Sequence, residues 1–145
     1  MRIRNFRQSD IPILIDLQQL AAETDGLALE GQAGTLEGVE GEIVGFTALS
    51  MRRDVYAYHF LCQGTVHPQH RKRNAGRALL ICALNYARMI STEFEFEAEQ
   101  LGQPLYLEAL LPLNDPASVN LAIKCDMQPV DEPVMKGMRL YRREL

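Results

Sequence analysis

The sequence has too few cysteines for a disulfide framework. Its three cysteines, Cys62, Cys82 and Cys125, are odd in number, widely spaced and set in apolar or helical contexts. Small secreted domains that depend on disulfides carry denser and usually even sets of cysteines. We therefore interpret the three as reduced side chains of a cytoplasmic protein.

Long apolar stretches are also lacking. No run approaches the roughly 20 apolar residues that a membrane-spanning helix needs, and the N-terminus has no apolar segment typical of a signal peptide. There is no internal repeat and no low-complexity linker. The chain has 145 residues, of which 47% are hydrophobic and 23% charged. We expect a single domain over residues 1–145, with a substantial core and no membrane partner.

An excess of basic residues is missing as well. The formal net charge is −4, which argues against a general affinity for nucleic acid. The basic cluster Arg71–Arg73 is therefore a local feature on an acidic background. It also lacks the interleaved aromatic residues on which single-stranded nucleic acids stack. We expect no nucleic-acid partner.

What the sequence does contain is a basic turn between a predicted strand and a predicted helix. The segment Tyr58–Val66 is typical of a buried strand, and Ala78–Ile90 is apolar almost all round, as in a buried helix. The first N–H groups of a helix have no intrahelical acceptor and carry partial positive charge. Guanidinium groups beside them suit phosphate. The turn therefore predicts a pyrophosphate site, built from Arg71, Lys72, Arg73, Asn74, Ala75, Gly76 and Arg77. The alternative is a solvated basic loop that leads into a core helix.

The same segment carries a resemblance to a known family. The six residues Arg71–Gly76 resemble the acetyl-CoA-binding signature of the GNAT acetyltransferase superfamily, Gln/Arg-x-x-Gly-x-Gly/Ala. Asn74 stands where the family usually has glycine, and asparagine tolerates left-handed backbone better than other non-glycine residues. The segment Asn114–Met127 resembles the late helix of the family, with Asp126 in place of its terminal glycine.

The resemblance implies an α/β fold, in which a mixed, mostly antiparallel twisted sheet of about six to seven strands is flanked by helices. The residue patterns predict strands near Arg2–Arg7, Gly34–Val39, Ile43–Leu49, Tyr56–Val66, Leu105–Leu111, Gln128–Val130 and Lys136–Arg142. We expect the fifth of these to be parallel to the fourth, because a helix separates them.

Helices are predicted from three segments. The first begins at a cap, Ser9 or Asp10, and ends near Ala22. The second runs from about Asn74 to Ile90 or beyond. The alternation in Glu93–Glu99 suggests a strand, but we expect this segment to continue the helix up to Gly102. The third starts at Pro116, after Asn114 or Asp115 as its cap. Two tight turns are also expected, at Glu40–Glu42 and at Arg52–Asp54.

The resemblance also implies a function, the acetyl-CoA-dependent N-acetylation of a primary amine by direct attack on the thioester. It places the pantetheine arm and the polarised carbonyl at the backbone of Gly64, Thr65 and Val66, and Asn114 is a further expected contact of CoA. The partners would be acetyl-CoA, as co-substrate, and an unidentified amine. No metal is expected, because Cys62, His67 and His70 include a pair of histidines at i, i+3 but the sequence places no fourth ligand beside them. The sequence leaves open whether the chain forms a homodimer.

Acid–base residues are harder to place. Many relatives use a tyrosine of the late helix as the general acid, and Ala122 stands at that position. Tyr141 and Tyr106 could take its place as the general acid. The alternative for each is a tyrosine that contributes only to packing. Glu108 is the first candidate for the general base, since burial in an apolar strand favours the neutral form of a carboxylate. The alternative for Glu108 is a strand carboxylate paired with a cation.

His59 is the second candidate for the base, and its alternative is a satisfied core histidine. The loss of the tyrosine at Ala122, together with Asn74 in the turn, supports a different function. In that alternative the chain is a catalytically weak acyl-CoA-binding regulatory module.

Overall fold

The computed structural model describes residues 2–5, 7–25, 34–37, 42–71 and 74–145. Within these ranges the chain forms four α-helices: α1 (Ile11–Asp25), α2 (Ala75–Ser91), α3 (Glu95–Leu101) and α4 (Pro116–Lys124). It also forms seven strands: β1 (Arg2–Asn5), β2 (Gly34–Glu37), β3 (Ile43–Arg53), β4 (Tyr58–Val66), β5 (Leu105–Pro112), β6 (Gln128–Val130) and β7 (Met138–Glu144). Single 3₁₀ turns lie at Gln8–Asp10 and Pro68–His70.

The strands form one mixed sheet in the order β1-β2-β3-β4-β5-β7-β6. The pairs β1–β2, β2–β3, β5–β7 and β6–β7 are antiparallel. Strands β4 and β5 are parallel, with Tyr58 opposite Leu105 and Cys62 opposite Ala109. The predicted mixed, mostly antiparallel sheet of six to seven strands is confirmed, and so is the parallel pair.

Residue contacts divide the chain into two compact units. The first comprises Met1–Ala48 and Gln63–Ala83, and the second comprises Leu49–Cys62 and Leu84–Leu145. Strands β3 and β4 and helix α2 therefore contribute residues to both units.

The described residues of the first unit include two apolar clusters and a network of charges. Its apolar side chains are Leu14, Leu17, Phe46 and Ile43 in one cluster, and Val44, Val66, Ala75 and Leu79 in the other. In the network, Arg4 contacts Asp10 through two hydrogen bonds of 2.7 Å and also contacts Glu37. Arg2 donates to the same Glu37 over 2.8 Å. These contacts connect β1 to β2 and to the residue that precedes α1.

The second unit has an aromatic core. Tyr58 and Phe60 are fully buried on β4, and the ring of Phe94 lies 5.5 and 6.3 Å from their ring centroids. Leu107 of β5 and Met127, which follows α4, are also fully buried.

The prediction of one continuous helix through Glu93–Glu99 is wrong, because the helix is interrupted. Helix α2 ends at Ser91, and residues 92–94 form a turn before α3 begins. The hydroxyls of Ser91 and Thr92 donate back to the carbonyls of Arg88 and Met89, over 2.9 and 2.7 Å. Such side-chain hydrogen bonds compete with the helical backbone pattern. The predicted stop at Gly102 is confirmed, since this residue caps α3 in the left-handed conformation with φ 64°.

Other boundaries also differ from the expectation. Strand β3 extends to Arg53, so the turn that follows it begins only at Asp54. Asp10 lies in a 3₁₀ turn and accepts the N–H of Arg7 over 2.8 Å. Of the two caps proposed for α4, the structure selects Asp115, which accepts the N–H of Ser118 over 3.3 Å. Two residues of the turn expected at Glu40–Glu42 lie outside the described residues.

Candidate functional site

The basic turn lies between the end of β4 and the start of α2. Its first part is a 3₁₀ turn whose N-cap is His67, where Nδ1 accepts the N–H of Gln69 over 3.1 Å. Arg71 Nε then donates to the carbonyl of Val66 over 3.2 Å, which fixes the turn to the end of β4. Asn74 has φ 62°, so it adopts the left-handed backbone that the family motif ordinarily gives to glycine.

Helix α2 begins directly after this left-handed residue. The N–H of Ala78 donates to the carbonyl of Asn74 over 3.0 Å and begins the helical hydrogen bonding. The N–H groups of Ala75, Gly76 and Arg77 precede that bond, so they have no acceptor within the helix. Ala75 is buried, whereas Asn74 and Arg77 are exposed. Lys72 and Arg73, two of the predicted cations, lie outside the described residues.

The end of β4 carries the residues expected to hold a pantetheine arm. Gly64 is exposed, and a Cβ placed on it would lie at an ordinary 3.4 Å from the carbonyl oxygen of Phe46. Thr65 is buried, and Val66 packs against Val44, Ala75 and Leu79. The carbonyl of Val66 already accepts a hydrogen bond from Arg71.

A cluster of buried charged side chains lies in the second unit. Glu108 is 3% exposed and His59 is 5% exposed. Glu108 Oε1 is 2.7 Å from His59 Nδ1, and Oε2 accepts from Nε and Nη2 of Arg142 over 2.8 and 2.5 Å. His59 Nε2 is 2.8 Å from Asp54 Oδ2. The structure therefore brings two of the predicted acid–base candidates, Glu108 and His59, into direct contact.

Sequence reasoning missed the two outer members of this cluster. Asp54 was assigned to a polar turn, and Arg142 to a terminal strand. The backbone N–H of Tyr56 comes first among the groups that hold the pKa of Asp54 below its usual value, followed by the N–H of Ala57 and by His59. Only the register of β5 against β7, which puts Glu108 opposite Arg142, shows that these side chains meet.

Within the described part of the chain, no group of three His, Cys, Asp or Glu side chains is arranged to hold a metal ion. The helices of the same residues include none that is both long and apolar enough to cross a membrane.

Comparison with known proteins decides the family. The model of the Acetyltransferase (GNAT) family matches residues 13–109. The chain belongs to the GNAT family. No curated protein matches it in sequence.

Solved GNAT structures share its fold at low sequence identity. The ribosomal-protein-alanine N-acetyltransferase from Brucella melitensis is 16% identical, with a TM-score of 0.68 over 100% of both chains. An N-acetyltransferase from Staphylococcus aureus Mu50 is 15% identical, with a TM-score of 0.68 over 99% of this chain and 97% of that one. A phosphinothricin acetyltransferase from Sinorhizobium meliloti, solved in complex with acetyl-CoA, is 14% identical, with a TM-score of 0.63 over 99% and 88%. At these identities the likeness concerns the fold alone.

Three further predicted positions of this GNAT chain are Tyr141, Asn114 and Ala122. Tyr141 is 5% exposed and pairs in register with Ala109. Because neighbouring strand residues point to opposite faces of a sheet, Tyr141 lies on the face opposite Glu108. Asn114 is exposed and lies two residues before the start of α4. Ala122, at the position of the family tyrosine, is 1% exposed.

Proposed function

We propose that the chain transfers the acetyl group of acetyl-CoA to a primary amine by direct attack, without a covalent enzyme intermediate. The observation that carries this proposal is the start of α2, where a left-handed Asn74 leads into a helix N-terminus after β4. Membership of the GNAT family supplies the chemical class.

The proposed pyrophosphate site is built mainly from backbone. The N–H groups of Ala75, Gly76 and Arg77 would donate to phosphate oxygens, and the helix dipole adds partial positive charge there. The exposed guanidinium of Arg77 can add a charge-assisted hydrogen bond. Arg71 contributes by holding the turn against Val66. Lys72, Arg73 and Asn114 stay proposed contacts of CoA.

Acetyl transfer also requires a polarised thioester and a place for one proton. Backbone groups of Gly64, Thr65 and Val66 are proposed to hold the pantetheine arm and to polarise the carbonyl. The attacking nitrogen loses a proton as the C–N bond forms and the C–S bond breaks, and the thiolate that leaves needs little help from an acid near neutral pH.

We assign the general base to Glu108, in contact with His59. Its carboxylate is buried and fixed from both sides by His59 and Arg142, so proton transfer from the amine would pass through water. The same contacts suit the alternative of a purely structural carboxylate, because they occupy lone pairs that a base would use. Tyr141 lies on the other face of the sheet. It therefore remains a candidate general acid only for a mechanism in which Glu108 does not take part.

One observation favours a second function. Ala122 is buried at the position of the family tyrosine and offers no hydroxyl. A chain that binds acyl-CoA without turning it over would act as a regulatory module.

Acetyl-CoA incubated with a panel of amines separates these functions. The panel contains a peptide with N-terminal alanine, free phosphinothricin and free lysine, the first two chosen from the acceptors named for its structural relatives. Free thiol and the acetylated amine are both quantified, by colorimetry and by mass spectrometry. Product formation supports the transferase. Saturable CoA binding without product would favour the regulatory module. The absence of both CoA binding and product would refute both functions.

A further inference from the structure

Asp54 occupies a turn that fixes its carboxylate. Its Oδ1 accepts the backbone N–H groups of Tyr56 and Ala57, over 2.8 and 2.9 Å. The other oxygen, Oδ2, lies 2.8 Å from Nε2 of the buried His59 ring. The side chain is therefore held by the backbone of its own turn and directed at a histidine five residues later in the chain.

The His59 ring lies between two carboxylates. Nδ1 is 2.7 Å from Glu108 Oε1, and Nε2 is 2.8 Å from Asp54 Oδ2. An ionised carboxylate can only accept hydrogen bonds. A neutral imidazole has one N–H, so it would leave one nitrogen lone pair against a carboxylate oxygen. Only the doubly protonated imidazolium donates at both positions.

Other charged groups around the ring act through its two partners. Arg142 donates to Glu108, and Glu132 accepts from the same Arg142 over 3.0 Å. Arg52 lies 3.4 Å from Asp54. The ring of Tyr106 lies 6.1 Å from the His59 ring. Among the described residues, the hydrogen-bond contacts of the two ring nitrogens are thus both with carboxylates.

We propose that Asp54 is a positioning residue for acetyl transfer, which keeps His59 as an imidazolium and thereby places a positive charge against Glu108. This inference rests on the proposed function, in which Glu108 takes the proton of the amine. A cation beside a carboxylate favours its ionised form, the only form that can accept a proton. Asp54 would set the lower end of the pH range in which the enzyme works, without contacting substrate.

The variant Asp54→Asn isolates this role. Asparagine Oδ1 can keep both backbone contacts of the turn, while its Nδ2 becomes a donor facing His59 Nε2. The ring then keeps only its Nδ1 proton and loses its charge. The matched control is Glu97→Gln, the same acid-to-amide change at an exposed residue that pairs with Arg53 over 2.7 Å.

Two measurements test the proposal. In long-range ¹H–¹⁵N spectra at pH 7, wild type and Glu97→Gln should show both ring nitrogens of His59 protonated. Asp54→Asn should show only one protonated ring nitrogen. A His59→Gln sample assigns the signals. In the pH profile of kcat/KM, with the best acceptor of the amine panel, Asp54→Asn should move the acid limb to higher pH, because the positive charge beside Glu108 is lost. The control should leave that limb in place.

The outcomes distinguish this inference from the function on which it rests. Two ring protons in Asp54→Asn, or an unmoved acid limb in an active variant, would overturn the role of Asp54 while acetyl transfer by the wild type stands. A wild-type protein that transfers acetyl to no amine would overturn both, whatever the spectra show.

Discussion

At the scale of single residues, two non-glycine residues adopt left-handed backbone beside helix ends. Asn74 and Asp126 both have φ 62°, where most side chains cost roughly 1–2 kcal/mol. Short polar side chains reduce that cost, which explains why the GNAT motifs survive without glycine at either position. The expectation that Asn74 tolerates the left-handed region is confirmed, and Asp126 adopts the same conformation.

The substitutions Asp126→Gly and Asp126→Ala test this explanation. Glycine adopts positive φ without a steric penalty, whereas alanine does not. The glycine variant should therefore be more stable than the alanine variant by about 1 kcal/mol, measured by urea unfolding. The side chain of Asp126 is 87% exposed and 3.8 Å from Arg143, so loss of that ion pair should contribute little. Equal stability of the two variants would contradict the explanation.

Gly45 is a second residue whose size matters. A Cβ placed there would lie 2.8 Å from the backbone oxygen of Thr65, whereas one on Gly64 meets its nearest neighbour at 3.4 Å. We expect Gly45→Ala to lower the free energy of unfolding by about 1–3 kcal/mol, as overpacking does. Gly64→Ala, the matched control on β4, should be nearly neutral for stability. Chemical denaturation of the two variants checks this, and similar losses would argue against a close approach at Gly45.

At the scale of elements, the N-terminal segments are joined by charge as well as by apolar packing. The hydrogen bond from Arg4 comes first among the interactions that lower the pKa of Asp10 to about 2. A carboxyl whose pKa is depressed in the folded state stabilises it above its unfolded pKa, near 3.9. That contribution is lost as the pH falls through about 2.

The variant Asp10→Asn should reveal this contribution. The free energy of unfolding of the wild type should fall more steeply between pH 5 and pH 2 than that of the variant. The reason is that only the wild type has a carboxyl at position 10 that becomes protonated in this range. Urea denaturation at several pH values in that range provides the comparison. Parallel curves for the two proteins would show that the Arg4–Asp10 contact does not contribute to stability.

Elements were predictable where a local pattern determines them. Apolar periodicity located α1, α2 and the strands from β3 to β5, and the intervening helix indicated that β4 and β5 are parallel. The break between α2 and α3 was not predictable in this way, because Phe94, Ala98 and Leu101 also fit one helical face. At that break the hydroxyls of Ser91 and Thr92 donate to backbone carbonyls, and periodicity does not reveal such hydrogen bonds.

The candidate site shows the same limit. The start of α2 could be predicted, since its residues are contiguous in the sequence. Glu108 and His59 could be identified as polar residues in apolar strands. Their partners could not, because Arg142 meets Glu108 only through the register of β5 and β7. Asp54 meets His59 through a turn whose boundary depends on the length of β3.

At the scale of the whole molecule, each compact unit contains its own group of proposed residues. The residues proposed to hold CoA near the start of α2 belong to the first unit, and the cluster around Glu108 belongs to the second. Strand β4 contributes Gly64 and Thr65 to one and His59 to the other. The net charge of −4 is compatible with the proposed pyrophosphate site, which is local and built largely from backbone.

The central claim is that the N-terminus of α2 binds the pyrophosphate of CoA, and isothermal titration calorimetry with acetyl-CoA tests it most directly. Gly76→Glu places a negative side chain among the N–H groups proposed as donors, while Asn85→Glu places the same charge at an exposed position in the middle of α2. We expect wild type and Asn85→Glu to bind equally well. Gly76→Glu should bind roughly tenfold more weakly or worse, since like charges near a protein surface repel by about 1–4 kcal/mol. Equal affinity of all three proteins, or no binding by the wild type, would contradict the claim.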